Sequence, residues 1–317
     1  MTKDLLSTPH RERIATQCIC CGSSNLQKSP AILMPFVSHR ALGWPPVAID
    51  ASWGMQTIPQ GMAYCICNTL HCLQCDLLFL DIRFSDLEME RYYNDYLGKE
   101  YEDLREFYEP GFRDRNKLLK AQHHFLHLAE EFIIPYINPK NILDWGGGTG
   151  INTPFANKGA HVDIFDIGNR EITHGAQNIS KNKIPSLAYD LIVCRHVLEH
   201  VPYPSEVLIE IRNAMHNEAI LYIELPHERL MVENQCISSS EKKYWHEHIN
   251  FFSISSMQYL LSICGFNIIK IQSTSIEFKK ELNGSNKIIQ IIANNPKHKS
   301  SLQPPDSQHV SSDATHA

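Results

Sequence analysis

Three groups of side chains in this chain have the types and spacing to do chemistry. The first is sulfur. Cys18-Ile-Cys-Cys21-Gly and Cys72-Leu-Gln-Cys75 are two Cys-x-x-Cys pairs. Each pair sets two thiolates on one tight turn, and two turns complete a tetrahedral zinc site. Gly22 suits the backbone bend at the first turn. A zinc held by Cys18, Cys21, Cys72 and Cys75 has no open position left, so it would hold structure and do no chemistry. Cys20, Cys65 and Cys67 are spare. They read as small buried hydrophobes on a ribbon hairpin, with Cys65 or Cys67 as alternatives for one of the four ligands.

The second group is glycine. Asn141-Ile-Leu-Asp-Trp-Gly-Gly-Gly-Thr-Gly-Ile ends an apolar strand at Asp144 and Trp145, then turns on Gly146, Gly148 and Gly150. Missing Cβ atoms let a ligand approach the backbone closely, and a helix opening behind the turn would aim N–H groups at an anion. Asp166 closes the next apolar run, His161-Val-Asp-Ile-Phe-Asp, where a carboxylate accepts hydrogen bonds from ribose hydroxyls. NAD and S-adenosylmethionine (SAM) both suit that pair of features.

The third group is the dense titratable string Tyr244-Trp-His-Glu-His-Ile-Asn-Phe-Phe-Ser, with His246, Glu247 and His248. A histidine near neutral pKa can take a proton from a nucleophile, and a carboxylate can orient it or hold a hydroxyl.

The elements that must position these groups are readable. From about Asn141 short apolar strands alternate with helices, which argues for a parallel sheet of βαβ units. The strands are 141–144, 161–166, 190–194 and 219–224, with a crossover helix over Pro204–Met215. Ser253–Cys264 reads as a helix stopped by Gly265. Two late strands, 267–272 and 287–292, are close enough in sequence to pair as an antiparallel hairpin. Before the sheet, residues 83–135 look helical, and Ser85 with Glu88 three residues on is a capping box. The expected division is a cysteine-rich zinc-binding module over 1–82, a helical linker or lid over 83–135, an α/β domain over 136–294, and a disordered tail over 295–317.

Bulk numbers set the frame. The chain has 317 residues, 43% hydrophobic and 20% charged, with a formal net charge of -6. No global basic excess favours nucleic acid as a partner. No apolar run reaches the roughly 18–20 residues that cross a bilayer. The start carries no apolar segment of signal-peptide type, so a cytoplasmic protein is expected. Seven of the ten cysteines lie between residues 18 and 75, and in that compartment clustering favours metal over disulfides. Cys194, Cys236 and Cys264 read as packing residues.

Two strings carry a family resemblance over about residues 115–293. Leu143-Asp-Trp-Gly-Gly-Gly-Thr-Gly resembles the first motif of the class I SAM-dependent methyltransferases, and Asp190-Leu-Ile-Val-Cys-Arg-His-Val-Leu-Glu-His-Val resembles the motif around their fourth strand. The resemblance implies a Rossmann-like sheet with SAM as cofactor and a small-molecule methyl acceptor. Gly146, Gly148 and Gly150 would pass the backbone beside the methionine part, between Trp145 and the helix behind. Asp144 would organise the amino end, Asp166 would hold the ribose, and Ile167 would pack on the adenine. Arg195 and His196 would line the methionine and methyl end. Glu199 and His200 sit one helical turn further on and read as a helix cap and a loop-holding hydrogen bond. Asn178 is the nearest counterpart of the acidic residue usual beside the adenine.

The cysteine pairs before a Tyr-rich linker look like those of zinc-containing sugar C-methyltransferases. In that resemblance Tyr92, Tyr93, Tyr96 and Tyr101 would cover a sugar-like acceptor, or else anchor a helix to the core. The His246-Glu247-His248 string resembles their Tyr-His-Glu-His segment, with Trp245 where the tyrosine stands, which leaves O-methylation open beside C-methylation. The resemblance places the proton-accepting role on His248, with His246 shaping the pocket and Glu247 orienting. Two other readings compete: an NAD-dependent oxidoreductase or epimerase on a similar fold, and a non-catalytic zinc adaptor with a degenerate SAM fold. The Val-Leu-Glu-His-Val string and the missing Tyr-x-x-x-Lys pair argue against the first of these.

Overall fold

The computed structural model describes residues 11–295, apart from 56, 122–124, 169, 174, 187, 217, 234–237 and 277–286. The expected tail beyond residue 295 and Cys236 lie outside the described residues. The chain order is β1 (Leu26–Leu33), α1 (Pro35–Val37), β2 (Val47–Ile49), β3 (Gly61–Ala63), β4 (Ile66–Cys72) and β5 (Leu78–Leu80). Four helices follow: α2 (Asp86–Tyr93), α3 (Lys99–Tyr108), α4 (Phe112–Ala121) and α5 (Leu126–Ile133). Then come β6 (Asn141–Trp145), β7 (His161–Phe165), β8 (Ala176–Asn178), β9 (Leu191–Arg195), α6 (Pro204–Ala214), β10 (Ile220–Pro226) and α7 (Arg229–Glu233). The last elements are β11 (Tyr244–Trp245), β12 (Asn250–Phe251), α8 (Ile254–Ile263), β13 (Asn267–Ser275) and β14 (Lys287–Asn294).

The main sheet runs β13-β14-β10-β9-β6-β7-β8. Strands β8, β7, β6, β9 and β10 are mutually parallel, and β14 and β13 add an antiparallel hairpin at one edge. Parallel strands covered on both faces read as continuous apolar runs, and every residue of Leu191–Arg195 is buried. This is the α/β, Rossmann-like sheet that the strand pattern predicts. Helix ends follow local chemistry. Ser85 and Glu88 close a capping box at the start of α2, a motif worth about 1 kcal/mol. Ser253 caps α8, and Gly265, at φ 77°, takes the left-handed position just past its end.

The helix expected behind the glycine turn is absent. After Trp145 the chain passes through turns to a three-residue 3-10 helix, Ala156–Lys158, and no α-helix is described before β7. Pro154 lacks an N–H and disfavours helical backbone at Thr153, and Gly159, at φ 86°, ends the segment five residues later. The turn therefore has no helix N-terminus to aim at a ligand. The edge strand is short: β8 has three residues and is reached from β7 without a described helix.

The N-terminal strands build a second sheet, β11-β1-β4-β5-β12. Its inner strands come from residues 26–80, and both edges come from the segment 244–251. Residues 246–249 thus cross from one edge of this sheet to the other. Cys18, Cys20, Cys72, Cys75, Leu77 and Phe79 share one core with Leu198, Phe252, Met257, Leu260 and Leu261. Each buried side chain of Leu or Phe size stabilises by roughly 1.5–3 kcal/mol, so the two sheets are joined by apolar packing as well as by chain. No helix among the described residues is long and apolar enough to cross a membrane.

Candidate active site

In a parallel sheet the ligand crevice opens beyond the carboxyl ends of the strands, where the strand order reverses. Here that point is β6, with β7 on one side and β9 on the other. The glycine turn leaves β6 there. Gly146, Gly148 and Gly150 have φ of 79°, 59° and 80°, a region closed to most side chains. A Cβ on Gly146 would lie 2.4 Å from Val197 Cγ2, and one on Gly150 would lie 2.3 Å from Ile164 Cδ1. The turn is held from below by Asp144, whose carboxylate accepts a 2.5 Å hydrogen bond from Thr153 Oγ1. Burial lifts the Asp144 pKa to about 6, against the opposing pull of Thr153. Trp145 packs its ring on Phe165 in the core and gives the turn only backbone.

Asp166 sits where its place at the end of the second strand puts it, half-buried at the mouth of the turn. Its two oxygens accept backbone N–H bonds from Gly148 (2.8 Å) and Gly168 (2.6 Å), and each oxygen keeps a further lone pair. Ile167 beside it is 64% exposed. Turn, half-buried carboxylate and exposed aliphatic face together fit an adenosine cofactor with a charged end. Arg170 lies next to the position of a Gly148 Cβ (3.0 Å) and stacks over Tyr96 (5.9 Å), which links the turn to the loop between α2 and α3. Tyr92 and Tyr101 are buried anchors, while Tyr93 and Tyr96 are half-buried. Asn178, in β8, is exposed.

The segment after β9 links the turn to the His246-Glu247-His248 string. Arg195 does not line the crevice. Its guanidinium is buried against Glu224 (2.6 and 3.0 Å) and donates to the Asn152 carbonyl, bolting β9 to β10 and to the glycine segment. Burial opposes charge on Glu224, yet Arg195 holds its pKa down at about 2. His196 stands at φ 54° with one ring nitrogen 3.3 Å from Glu199 and the other 3.3 Å from Glu224. Burial of the ring opposes protonation, but the two carboxylates outweigh it and lift its pKa to about 9. Val197 fills the space above Gly146, and His200 then meets the third chemical group.

Within that group the three candidates differ sharply. His246 is fully committed: its Nδ1 accepts from the Glu247 N–H (2.8 Å), and its Nε2 donates to Glu109. Glu247 is clamped by Arg105 (3.0 and 3.3 Å). Burial works against its charge, but Arg105 and the nearby histidines hold its pKa low. Both residues brace the segment, and each of their ring nitrogens and carboxylate oxygens already has a partner. Trp245, fully buried, donates its indole N–H to Thr69 (2.8 Å) in the N-terminal sheet. His248 alone keeps an unspent nitrogen. Its Nδ1 binds Glu228 (2.7 Å), and its ring lies against His200 with centroids 4.7 Å apart. Burial opposes its protonation, and Glu228 more than compensates, so its pKa is raised.

His200 donates from Nδ1 to the Glu247 carbonyl (3.0 Å), which leaves Nε2 as an acceptor. Burial lowers its pKa, so the ring is neutral. Glu199 is 1% exposed, and its Oε2 has no hydrogen-bond partner. Sequence alone had offered structural roles for Glu199 and His200, and it gave no sign of Glu228, which reaches His248 only because β10 exits beside it.

At the cysteine cluster, Cys18 Sγ and Cys75 Sγ are 3.5 Å apart, as are those of Cys21 and Cys72. All four sulfurs lie within 4.8 Å of one another, close to the ~3.8 Å edge of a tetrahedron with 2.3 Å zinc–sulfur bonds. Gly22, at φ 72°, and Asp76, at φ 64°, turn the two knuckles. Cys20 lies beside Cys75 but donates to the Ser256 carbonyl, and neither it nor Cys65 nor Cys67 joins the group.

A family profile described as a methyltransferase domain matches residues 104–271, more than half of the chain. No curated protein sequence matches significantly. Among solved structures, a SAM-dependent methyltransferase from Methanosarcina mazei is 19% identical, with a TM-score of 0.39 over 52% of this chain and 96% of that one. The 1,6-didemethyltoxoflavin-N1-methyltransferase of Burkholderia thailandensis is 12% identical, with a TM-score of 0.43 over 70% and 97%. The magnesium protoporphyrin IX methyltransferase of Synechocystis is 14% identical, with a TM-score of 0.39 over 62% and 100%.

Proposed function

The chain belongs to the methyltransferase-domain family and is a SAM-dependent methyltransferase, and on that premise we propose that it methylates a small, sugar-like acceptor between the glycine turn and His248. One observation carries the reading. The segment 196–200 touches the glycine turn through Val197 and the His/Glu string through His200, so cofactor and proton acceptor share one crevice.

SAM supplies a methyl group on a sulfonium sulfur, which keeps the bonding electron pair when the methyl leaves. Asp166 accepts the ribose hydroxyls, Ile167 packs on the adenine, and the glycine turn admits the methionine part. His248, oriented by Glu228, takes the acceptor's proton at Nε2, whether that proton leaves a hydroxyl or a carbon acidified by a carbonyl. The reaction needs little more than this alignment. Tyr93 and Tyr96 offer aromatic faces to a polar ring, in keeping with a lid made from residues 83–135. Cys18, Cys21, Cys72 and Cys75 would hold one structural zinc in the 1–82 module, beside a transferase domain over 136–294. Thiolates kept for metal suit a cytoplasmic setting.

Binding of SAM or S-adenosylhomocysteine should raise the melting temperature, since a ligand at 100 times its Kd adds about 2.7 kcal/mol. A response to NAD alone would sink the reading. His248→Ala should lower turnover by roughly 10²–10⁴ and leave SAM affinity nearly unchanged. Near-normal turnover would place the base elsewhere.

A further inference from the structure

We propose that Glu199, His200 and His248 form a binding site for a divalent metal ion of the zinc or cobalt kind, facing the acceptor. Among the described residues these three place one ligand atom each within 4.8 Å of one another. The arrangement has three features that a chance cluster lacks. Glu199 is 1% exposed, and its Oε2 makes no hydrogen bond in a setting where such atoms are almost always paired. Both histidines present Nε2, because each Nδ1 is already used: His200 on the Glu247 carbonyl, His248 on the Glu228 carboxylate. Those outer partners are what metal-bound histidines ordinarily have, fixing the ring and its tautomer.

The donor set chooses the ion. Two imidazoles and one carboxylate suit zinc-like divalent metals better than calcium or magnesium, which prefer oxygen. Three protein ligands leave at least one position open, unlike the four-thiolate set, so the ion can meet a substrate oxygen. The groups around it complete the picture. Glu247 is spent on Arg105 and His196 on its two carboxylates, so neither competes for the place. Tyr93 lies edge-on to His200 at 6.4 Å.

The inference rests on the reading above in one respect, that this cluster faces the acceptor, and it deepens that reading. In the metal-free centre His248 takes the proton. With the ion in place, His248 is a ligand, and the charge of the ion polarises the acceptor oxygen so that its proton passes to solvent more easily.

Full-length protein, loaded first with zinc at the thiolates, is titrated with Co2+ and followed by visible absorption. The expected result is one further cobalt per chain, with weak d–d bands of nitrogen and oxygen ligation and no sulfur-to-metal band. Glu199→Gln and His200→Gln should each weaken that binding on the order of 100-fold. A thermal shift with S-adenosylhomocysteine on the same samples reports whether the variants are folded. No cobalt beyond the zinc, a sulfur band only, or equal cobalt binding by wild type and both variants would overturn the proposal. If cobalt is not taken up while S-adenosylhomocysteine binds and His248→Ala loses turnover, the metal is wrong and the imidazole base stands. If cobalt binds and S-adenosylhomocysteine does not, the metal site stands and the placing of cofactor and acceptor in this crevice falls.

Discussion

Two polar clusters lie within a few residues of each other at the end of β9, and they are built on opposite principles. Around Arg195 every charge is answered. The guanidinium has Glu224 and the Asn152 carbonyl, Glu224 also accepts from Tyr222 (2.5 Å), and His196 bridges to Glu199. Around His200 and His248 the inner atoms are held and the outer atoms, two Nε2 and Glu199 Oε2, are left over. A closed cluster fixes geometry, because removing any partner leaves a buried charge alone. An open cluster keeps hydrogen-bonding capacity for something that is not protein. The difference explains why Arg195, His246 and Glu247, all plausible in sequence as direct participants, act here as braces, and why His200 does not.

The comparison breaks first at its closed side. Arg195→Met should destabilise the fold by about 3–5 kcal/mol, the effect of taking the guanidinium from buried Glu224 and leaving it only His196 and Tyr222. Urea unfolding at pH 7 measures it, and a loss below about 1 kcal/mol would mean that Glu224 is satisfied some other way. His248→Ala, on the open side, should leave the urea midpoint nearly unchanged while turnover falls. Equal effects of the two substitutions on stability would erase the distinction between the clusters.

A second test uses pH. Asp144 has a folded-state pKa of about 6, above its ordinary value near 4. Its contribution is therefore fully present below pH 4 and is lost as pH rises through 6. Asp144→Asn, which cannot ionise, should gain on wild type across that window by roughly 3 kcal/mol, two pKa units at 1.36 kcal/mol each. Denaturant midpoints at pH 4, 6 and 8 give the slope. A difference that does not change with pH would show that Asp144 titrates in the folded protein as it does in the unfolded chain.

The smallest expected effect sharpens the cofactor side. Asp166→Ala should weaken SAM by about 1–3 kcal/mol, as expected when ribose hydroxyls lose a buried acceptor. Calorimetric titration checks it, and an unchanged Kd would move the ribose contact to another carboxylate. The same substitution frees the Gly148 and Gly168 N–H groups, so a small loss of stability without ligand should accompany it.

Much of the molecule was legible residue by residue. Apolar runs marked β6, β7, β9 and β10 because strands buried on both faces have no other composition. Ser85 with Glu88 and Ser253 with Gly265 marked helix ends because caps are satisfied by neighbours in the chain. Gly146, Gly148 and Gly150 announced a turn because few other residues take those angles. The helix expected behind that turn is stopped by Pro154, which lacks an N–H, and by Gly159, which takes a left-handed angle. What lay beyond the sequence was the meeting of distant segments. Nothing in Tyr244–Phe251 reveals that it supplies both edges of the N-terminal sheet, since two-residue strands carry no period of their own. That crossing turns His246 toward Glu109 and Glu247 toward Arg105, and leaves His248 beside Glu228 and His200. Residue type tells what chemistry a side chain can do. Which of its atoms remain unspent depends on partners 20 to 142 residues away in the chain, and only the tertiary structure decides that.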